Sequence, residues 1–261
     1  NQLIEEFMLL ANKRVSEYIG KKLRGKTFVY RIHDKPDPEK ISNFSHFITR
    51  FGYKLIEDDK TSLPKAMNKL LHSVAGKKEQ NIIETLALRS MAKAIYSTDN
   101  IGHYGLSFKY YTHFTSPIRR YPDMMVHRLL SAYLAEENPG AQDKYEKMCN
   151  HSSKMERLAA EAERASVKYK QVEYMSDKTG KEFEGIISGV TEWGIYVEII
   201  ENQCEGMIHI RELADDFYEY DEENYCIKGR STGKIYTLGD RVNIEVVKAD
   251  LQKKQLDYRL V

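Results

Sequence analysis

The periodicity of apolar residues changes once along this 261-residue chain, at Thr179-Gly180. Before that point, apolar residues recur every three or four positions, as in helices with one buried face. After it, apolar and polar residues alternate in short runs, as in strands with one buried face. We therefore predict an α+β fold, in which a mixed helix and strand domain, residues 1–178, precedes a small β-barrel, residues 179–261.

The first part contains two stretches with strand alternation and six with helical spacing. Phe28 to Ile32 and Tyr104 to Phe114 alternate and are predicted as strands. Gly52 is the expected end of the second helix. The predicted helices are Leu3 to Ile19, the stretch that Asp37-Pro38-Glu39 opens and that runs to Phe51, Leu63 to Val74, Gln80 to Tyr96, the stretch after Pro122, and Ser152 to Met175.

The second part contains five runs that are typical of strands. They are Phe183 to Val190, Gly194 to Ile200, Gly206 to Ile210, Arg241 to Leu251, and Gln255 to Leu260. A polar, tyrosine-rich connection separates the third run from the fourth. Five short strands with one long connection predict a small five-stranded Greek-key barrel of the OB fold.

Composition excludes several classes of protein. No apolar run approaches the ~20 residues that a membrane helix needs, and no secretory signal opens the chain. The three cysteines, Cys149, Cys204 and Cys226, are scattered and have no zinc-site spacing. We therefore expect a cytoplasmic protein rather than a membrane protein, a disulfide scaffold or a zinc finger.

Charge is distributed unevenly between the two parts. Residues 1–180 carry 30 Lys and Arg against 22 Asp and Glu, whereas residues 181–261 carry 10 against 17. The first part is therefore the better candidate for contact with a polyanion. Ordinary variation in surface charge is the alternative explanation.

The segment His113–Asp123, HFTSPIRRYPD, is the densest candidate site. Its two prolines predict a strand-to-helix junction. Hydroxyls and guanidiniums at a helix N-terminus can bind phosphate oxygens, because the backbone N–H groups and the helix dipole add to their attraction. A surface turn with solvated arginines is the alternative. The candidate residues are Thr115, Ser116, Arg119, Arg120 and Tyr121.

Longer stretches of the chain resemble a known family. GHYGLSFKYYTHFTSPIRRYPDMMVHRLL, from Gly102 to Leu130, resembles the signature region of the catalytic RNB-type domain of the ribonuclease II/R exoribonucleases. LIEEFMLLAN, YRIHDKPDPEKI and LRSMAKAIYSTDNIGHYGL are similar to the segments that precede it. VTEWGIYVEI and EGMIHIREL resemble the family's RNA-binding barrel, named after a ribosomal small-subunit protein.

The resemblance implies processive 3′→5′ hydrolysis of single-stranded RNA to nucleoside 5′-monophosphates. It also implies Mg²⁺, held by a cluster of aspartates, because such cations activate water and stabilise the leaving oxygen. In the family those aspartates precede the segment that opens this chain. We therefore expect that an N-terminal part of the parent protein is missing here, that no residue of this chain holds a metal, and that the chain binds RNA without cleaving it.

The only adjacent aspartate pairs of the sequence do not lie in a family-like context. They are Asp58-Asp59 and Asp215-Asp216. We interpret both pairs as solvated loop residues rather than metal ligands.

The resemblance also assigns roles to individual residues. Arg119 matches the arginine that contacts the scissile phosphate and stabilises charge in the transition state, and Arg120 is its basic neighbour. Glu163 lies near the position of an acidic residue close to the 3′-terminal nucleotide. Glu156 and Glu163 are seven residues apart on one helix face, so a solvated face with Glu/Arg pairs is the alternative.

The barrel carries a second set of candidates. Trp193 lies in the turn before the second predicted strand, Tyr196 lies near the start of that strand, and His209 lies at the end of the third. OB barrels bind oligonucleotides on the face that contains these strands. Aromatic rings stack on unpaired bases without reading sequence. Arg211 could add a phosphate contact. Core or structural roles are the alternative for these residues.

Two other functions remain open at this stage. One is a non-catalytic RNA-binding module, and the other is a translation-associated RNA-binding protein that merely uses the barrel. The SPIRRYPD segment argues against the latter, because an array of barrels has no use for it.

Overall fold

The computed structural model describes residues 2–55, 63–77, 79–222 and 224–261. It confirms the α+β class, with helices throughout the first part and a barrel in the second. The helices are α1 (Gln2–Glu17), α2 (Pro38–Thr49), α3 (Leu63–Val74), α4 (Gln80–Ser90), α5 (Tyr121–Leu134) and α6 (Gln142–Met175). None of these described helices is long and apolar enough to cross a membrane.

The strands form three sheets. A short antiparallel pair joins the first two, a closed barrel has the order β10-β5-β4-β3-β9, and a three-stranded sheet has the order β6-β7-β8. The strands are β1 (Tyr30–Ile32), β2 (Ile95–Ser97), β3 (Glu182–Thr191), β4 (Gly194–Ile199), β5 (Glu205–His209), β6 (Tyr218–Asp221), β7 (Cys226–Gly229), β8 (Ile235–Thr237), β9 (Arg241–Asp250) and β10 (Gln255–Leu260). The five barrel strands are the five that the sequence predicts.

Contacts divide the chain into two compact units. One comprises Asn1–Ile41, Glu57–Ala66 and Ser90–Ala160, and the other comprises Ser42–Ile56, Met67–Arg89 and Glu161–Val261. These units cut the chain differently from the predicted domains, because two helical segments group with the barrel. The boundary between residues 178 and 179 stays a prediction.

The first unit has a core of its own around β1 and α5. Phe28, Ile32, Met125 and Leu129 are buried there together with Cys149 of α6. In α5, Pro122 occupies the first turn, where a missing N–H is tolerated, and Arg120 before it is extended. Local sequence therefore sets the start of α5, and the apolar face of this helix packs into the core of the first unit.

The barrel core is closed at one place by a helix. The inward residues of β4, Ile195, Val197 and Ile199, are fully buried. Val172 and Met175 at the end of α6 belong to the same core. Burial of this kind contributes roughly 25 cal/mol per Å² of apolar surface, so the end of α6 is part of the barrel's packing.

The prediction of a strand over Tyr104 to Phe114 is wrong. Tyr104–Leu106 is a turn of 3-10 helix, and Ser107 after it has a positive φ of 55°. The Arg31 N–H of β1 donates to the Tyr111 carbonyl (3.0 Å), but side chains take other backbone groups of the stretch: the Gly105 N–H donates to Nδ1 of His33 (2.8 Å), and the Phe114 N–H donates to Oδ1 of the buried Asn12 (2.9 Å). Such local bonds compete with a sheet ladder.

Three other boundaries differ from expectation. Helix α4 ends at Ser90, and its predicted continuation forms β2, where Tyr96 pairs with Arg31. Helix α6 begins at Gln142, before the predicted start at Ser152. The tyrosine-rich connection contains β6, β7 and β8, strands of only three or four residues. Runs that short do not reveal an alternating pattern.

Candidate nucleic-acid interface

The predicted junction at residues 115–121, here called the arginine turn, is held by a buried carboxylate. Asp123, in the first turn of α5, is completely buried. Its Oδ1 accepts hydrogen bonds from the Ser116 backbone N–H (2.8 Å) and from Nη2 of Arg120 (2.9 Å). Arg120 is therefore half-buried and directed inward. Its predicted contact with RNA stays a prediction.

Arg119 is the exposed cation of the arginine turn. Its Nη2 lies 3.5 Å from Oγ of Ser116, and Tyr121 beside it is exposed at the start of α5. Thr115 and Ser116 are half-buried. The turn thus combines one fixed guanidinium, that of Arg120, with one that solvent can reach, that of Arg119.

Behind the arginine turn lies a network that the sequence does not signal. The hydroxyl of Tyr96 lies 2.8 Å from Nδ1 of His113, and the guanidinium of Arg31 stacks over the Tyr96 ring at 4.6 Å. Arg31 also makes a two-pronged ion pair with Glu156, at 2.6 and 3.0 Å. Glu156 therefore serves as the partner of Arg31.

Burial and neighbouring cations keep His113 neutral. Desolvation, reinforced by the charges of Arg120 and Arg31, lowers the pKa of His113 to about 3. The pKa of His103 in the same unit is lowered to about 4, mainly by burial. Both imidazoles are therefore uncharged near neutral pH.

We expect the unfolding free energy to fall as the pH drops below about 6.5, because unfolded histidine then binds a proton that folded His113 refuses. From the pKa of about 3, His113 contributes a loss of roughly 2 kcal/mol between pH 7 and pH 5. Urea titrations followed by circular dichroism measure the loss. His113→Asn should reduce the pH dependence without abolishing it, because His103, whose pKa is lowered to about 4, contributes a similar loss. An equally steep loss in that variant would contradict the assignment.

Glu163 lies exposed on α6, in the unit that contains the barrel, whereas the arginine turn belongs to the other unit. Its role near a 3′-terminal nucleotide stays a prediction.

Trp193, Tyr196 and His209 line one concavity of about 370 Å³ on the barrel. Alternation places them there: Tyr196 of β4 and His209 of β5 point away from the core, while Ile195 and Ile208 between and beside them are buried. Trp193 sits in the turn between β3 and β4 and is 61% exposed. The structure thus brings together the three barrel rings that the sequence singles out.

Lys168 of α6 also lines this concavity, and no local pattern in the sequence signals it. Its ammonium donates to the backbone carbonyl of Glu205, and burial lowers its pKa. The Glu205 carboxylate accepts a bond from Oγ of Ser188 (2.7 Å). A helix outside the five strands therefore supplies a cation to the surface that carries the rings.

A second concavity, of about 400 Å³, adjoins the first. Arg211 lines it together with Lys248 of β9. Met207, His209 and Asp257 line both concavities, so the two are neighbours that share part of their wall. We call the two together the barrel groove. It contains all four barrel residues that the sequence predicts to bind RNA, with cations in both halves.

The described residues do not fit a magnesium site. Across residues 2–55, 63–77, 79–222 and 224–261, no group of three or more His, Cys, Asp or Glu side chains is placed to hold a metal ion. Asp216 accepts bonds from the Ser231 and Thr232 backbone and from the Thr232 hydroxyl, which lowers its pKa and commits it to a turn. Asp58 and Asp59 lie outside the described residues.

With this geometry in view, comparisons with known proteins define the class. The RNB domain family matches residues 1–136, and the S1 RNA binding domain family matches residues 176–259. The chain belongs to the RNB family, a family of 3′–5′ exoribonucleases, and carries an S1 RNA-binding barrel.

Individual relatives specify the class further. Ribonuclease R of Aquifex aeolicus is 39% identical, with 100% of this chain and 37% of that protein aligned. Ribonuclease R of Escherichia coli K12 is 36% identical, with 100% and 33% aligned. The chain thus spans about a third of the length of these curated relatives.

Solved structures agree with this assignment. The apo form of Mycoplasma genitalium RNase R superposes with a TM-score of 0.90 at 29% identity, covering 99% of this chain and 41% of that one. The same protein in complex with ribose methylated single-stranded RNA gives the same values.

Proposed function

We propose that this chain binds single-stranded RNA by stacking unpaired bases in the barrel groove, and that Arg119, in the other unit, is a phosphate-binding residue. The observation that carries the proposal is the convergence of Trp193, Tyr196 and His209 with Lys168 in one concavity. Rings stack on unpaired bases of any sequence, and cations follow the backbone. The complex of Mycoplasma genitalium RNase R with single-stranded RNA supports the same partner.

The groove's charge makes stacking the main source of affinity. Glu205, Glu212 and Asp257 line it beside the cations Lys168, Arg211 and Lys248, so it offers no uniform positive field. The aromatic rings of Trp193, Tyr196 and His209 would instead bind RNA by stacking directly on its bases.

We expect Trp193→Ala and Tyr196→Ala each to weaken binding of a single-stranded RNA by roughly 1–3 kcal/mol, the usual worth of one base stack. Fluorescence anisotropy of a labelled 12-nucleotide RNA measures the effect. Base preference should change little, because a ring face does not distinguish bases.

Phe217→Ala is the matched control for this test. Phe217 is 66% exposed, like Trp193, but lines neither half of the groove. Equal losses for Phe217→Ala and Trp193→Ala, or no loss for the latter, would return Trp193 to a structural role.

We further propose that the reaction in which this chain takes part is 3′→5′ hydrolysis of RNA to nucleoside 5′-monophosphates. Arg119 would be a catalytic residue there, because its free guanidinium can bind two phosphate oxygens and stabilise charge that develops in the transition state. Glu163 would lie near the 3′-terminal nucleotide. No step is assigned to Mg²⁺, since the described residues do not fit it.

The second candidate function is RNA binding without hydrolysis by residues 1–261 alone. It is favoured because no group of described residues is placed to hold a metal ion. Without a metal, Arg119 can stabilise charge but cannot generate hydroxide near neutral pH. The three cysteines are unpaired and buried, which supports a cytoplasmic location for either function.

We expect no release of nucleoside 5′-monophosphates when this chain is incubated with a labelled single-stranded RNA and Mg²⁺. Thin-layer chromatography of the products measures it, and the RNA should still be bound. Mg²⁺-dependent release that disappears in Arg119→Ala would show that this chain is itself the nuclease.

A further inference from the structure

Asp257 stands at the point where the two halves of the barrel groove meet. It lies on β10 in register with Met207 of β5, and both residues line both concavities. It is half-buried. In the described part of the chain, no side chain donates a hydrogen bond to its carboxylate or forms an ion pair with it. Nothing assigned so far uses this group.

A half-buried carboxylate without a donor from the protein can accept a hydrogen bond from a ligand. An ionised carboxylate only accepts hydrogen bonds, and it repels phosphates. Lys168 lines the first half of the groove, and Arg211 and Lys248 line the second, with Asp257 shared between them. Positive charge therefore lies on either side of Asp257, although Lys168 also donates to the Glu205 carbonyl and Lys248 pairs with Asp250 at 3.3 Å. Phosphates are attracted to those sides and repelled by Asp257 itself, so the part of a nucleotide that faces Asp257 is a neutral donor.

We propose that Asp257 accepts a hydrogen bond from a ribose 2′-hydroxyl and so selects RNA over DNA. The inference rests on the proposed function, that RNA lies in this groove. The 2′-hydroxyl is the group by which a protein distinguishes the two polymers. It is present on every ribonucleotide, so reading it leaves binding independent of base sequence, as stacking on Trp193 and Tyr196 requires.

The test compares strands that differ only at the 2′ position. Binding of oligouridylate, oligodeoxyuridylate and 2′-O-methyl oligouridylate, each of 12 nucleotides, is measured by anisotropy in EDTA. The wild-type chain should bind oligouridylate about tenfold more tightly than either of the other strands, the range of one hydrogen bond to a charged group. Asp257→Asn and Asp257→Ala should reduce that ratio below about threefold.

The sign of the change separates this role from general electrostatics. Asp257→Ala should weaken RNA binding while leaving DNA binding equal or tighter, because it removes both the acceptor and a repelling charge. Glu182→Gln is the matched control: Glu182 is an exposed carboxylate at the start of β3 that lines neither concavity, and its loss should shift RNA and DNA together.

Four outcomes overturn the proposal. Equal wild-type affinity for the uridine strands, or an RNA preference that both Asp257 variants keep, removes the ribose contact. An effect seen with oligoadenylate but not with oligouridylate assigns the carboxylate to a base amino group instead. Binding of neither polymer, with unchanged fluorescence of Trp193, overturns the proposed function as well. Circular dichroism of each variant confirms that it is folded.

Discussion

Asp123→Ala should lower the unfolding free energy by about 3–5 kcal/mol, the usual cost of removing one partner from a buried ion pair. The side chain is completely buried, and its Oδ1 is shared by the Ser116 backbone and the Arg120 guanidinium. Without it, a half-buried cation and a backbone N–H lose their acceptor. The arginine turn should then lose its conformation, and the backbone that carries Arg119 should no longer be held in place.

Urea titration followed by circular dichroism measures this effect. Asp143→Ala is the matched control, because Asp143 pairs with Lys147 on α6 where both side chains are about three-quarters exposed; it should cost less than about 1 kcal/mol. Combining Arg120→Ala with Asp123→Ala should cost less than the sum of the single changes. A loss below about 1 kcal/mol for Asp123→Ala would remove the carboxylate from its role as anchor.

Gly194→Ala should destabilise the barrel by roughly 2–5 kcal/mol, because strain and overpacking act at the same atom. Gly194 has a φ of 146°, and a Cβ there would lie 2.1 Å from the carbonyl oxygen of Ile208. Gly194 pairs with His209 and follows Trp193. The substitution should therefore also displace both groove residues and weaken RNA binding.

Gly233→Ala separates the two causes. Gly233 has a φ of 67° but open space where a Cβ would lie, so it should cost only about 1 kcal/mol, from conformation alone. For both variants, urea titration monitored by Trp193 fluorescence measures the unfolding free energy, and fluorescence anisotropy of a labelled RNA measures binding. Equal stability of the two variants would mean that the close approach of β4 to β5 does not matter for the barrel.

Local sequence determines the parts of this protein that depend on neighbours a few positions apart. Periodicity predicts helices at the places where α1, α2, α3 and α5 form, and alternation predicts the five barrel strands. Each pattern arises because one face of the helix or strand is buried. Alternation along β4 and β5 also places Tyr196 and His209 on one outer surface. The resemblance to a known family adds a functional class, the exoribonucleases, to the fold that these patterns predict.

The failure over Tyr104 to Phe114 shows where that reading stops. Apolar and polar residues do alternate there, but the side chains of His33 and Asn12 accept hydrogen bonds from the Gly105 and Phe114 N–H groups, which a continuous strand ladder would use. A pattern of residue types cannot tell which acceptor a backbone N–H will find. The three short strands β6–β8 escape prediction for a related reason, since three or four residues carry too little pattern.

Only the tertiary structure decides the groups that complete each site. Glu156 meets Arg31 from 125 positions away, and Lys168 reaches Glu205 across 37. Asp257 joins the barrel groove because β10 closes the barrel beside β5. Local sequence sets the face on which a side chain lies, through the periods of helix and strand. Which distant face it meets depends on how the elements pack, because those contacts are made between segments that share no local pattern.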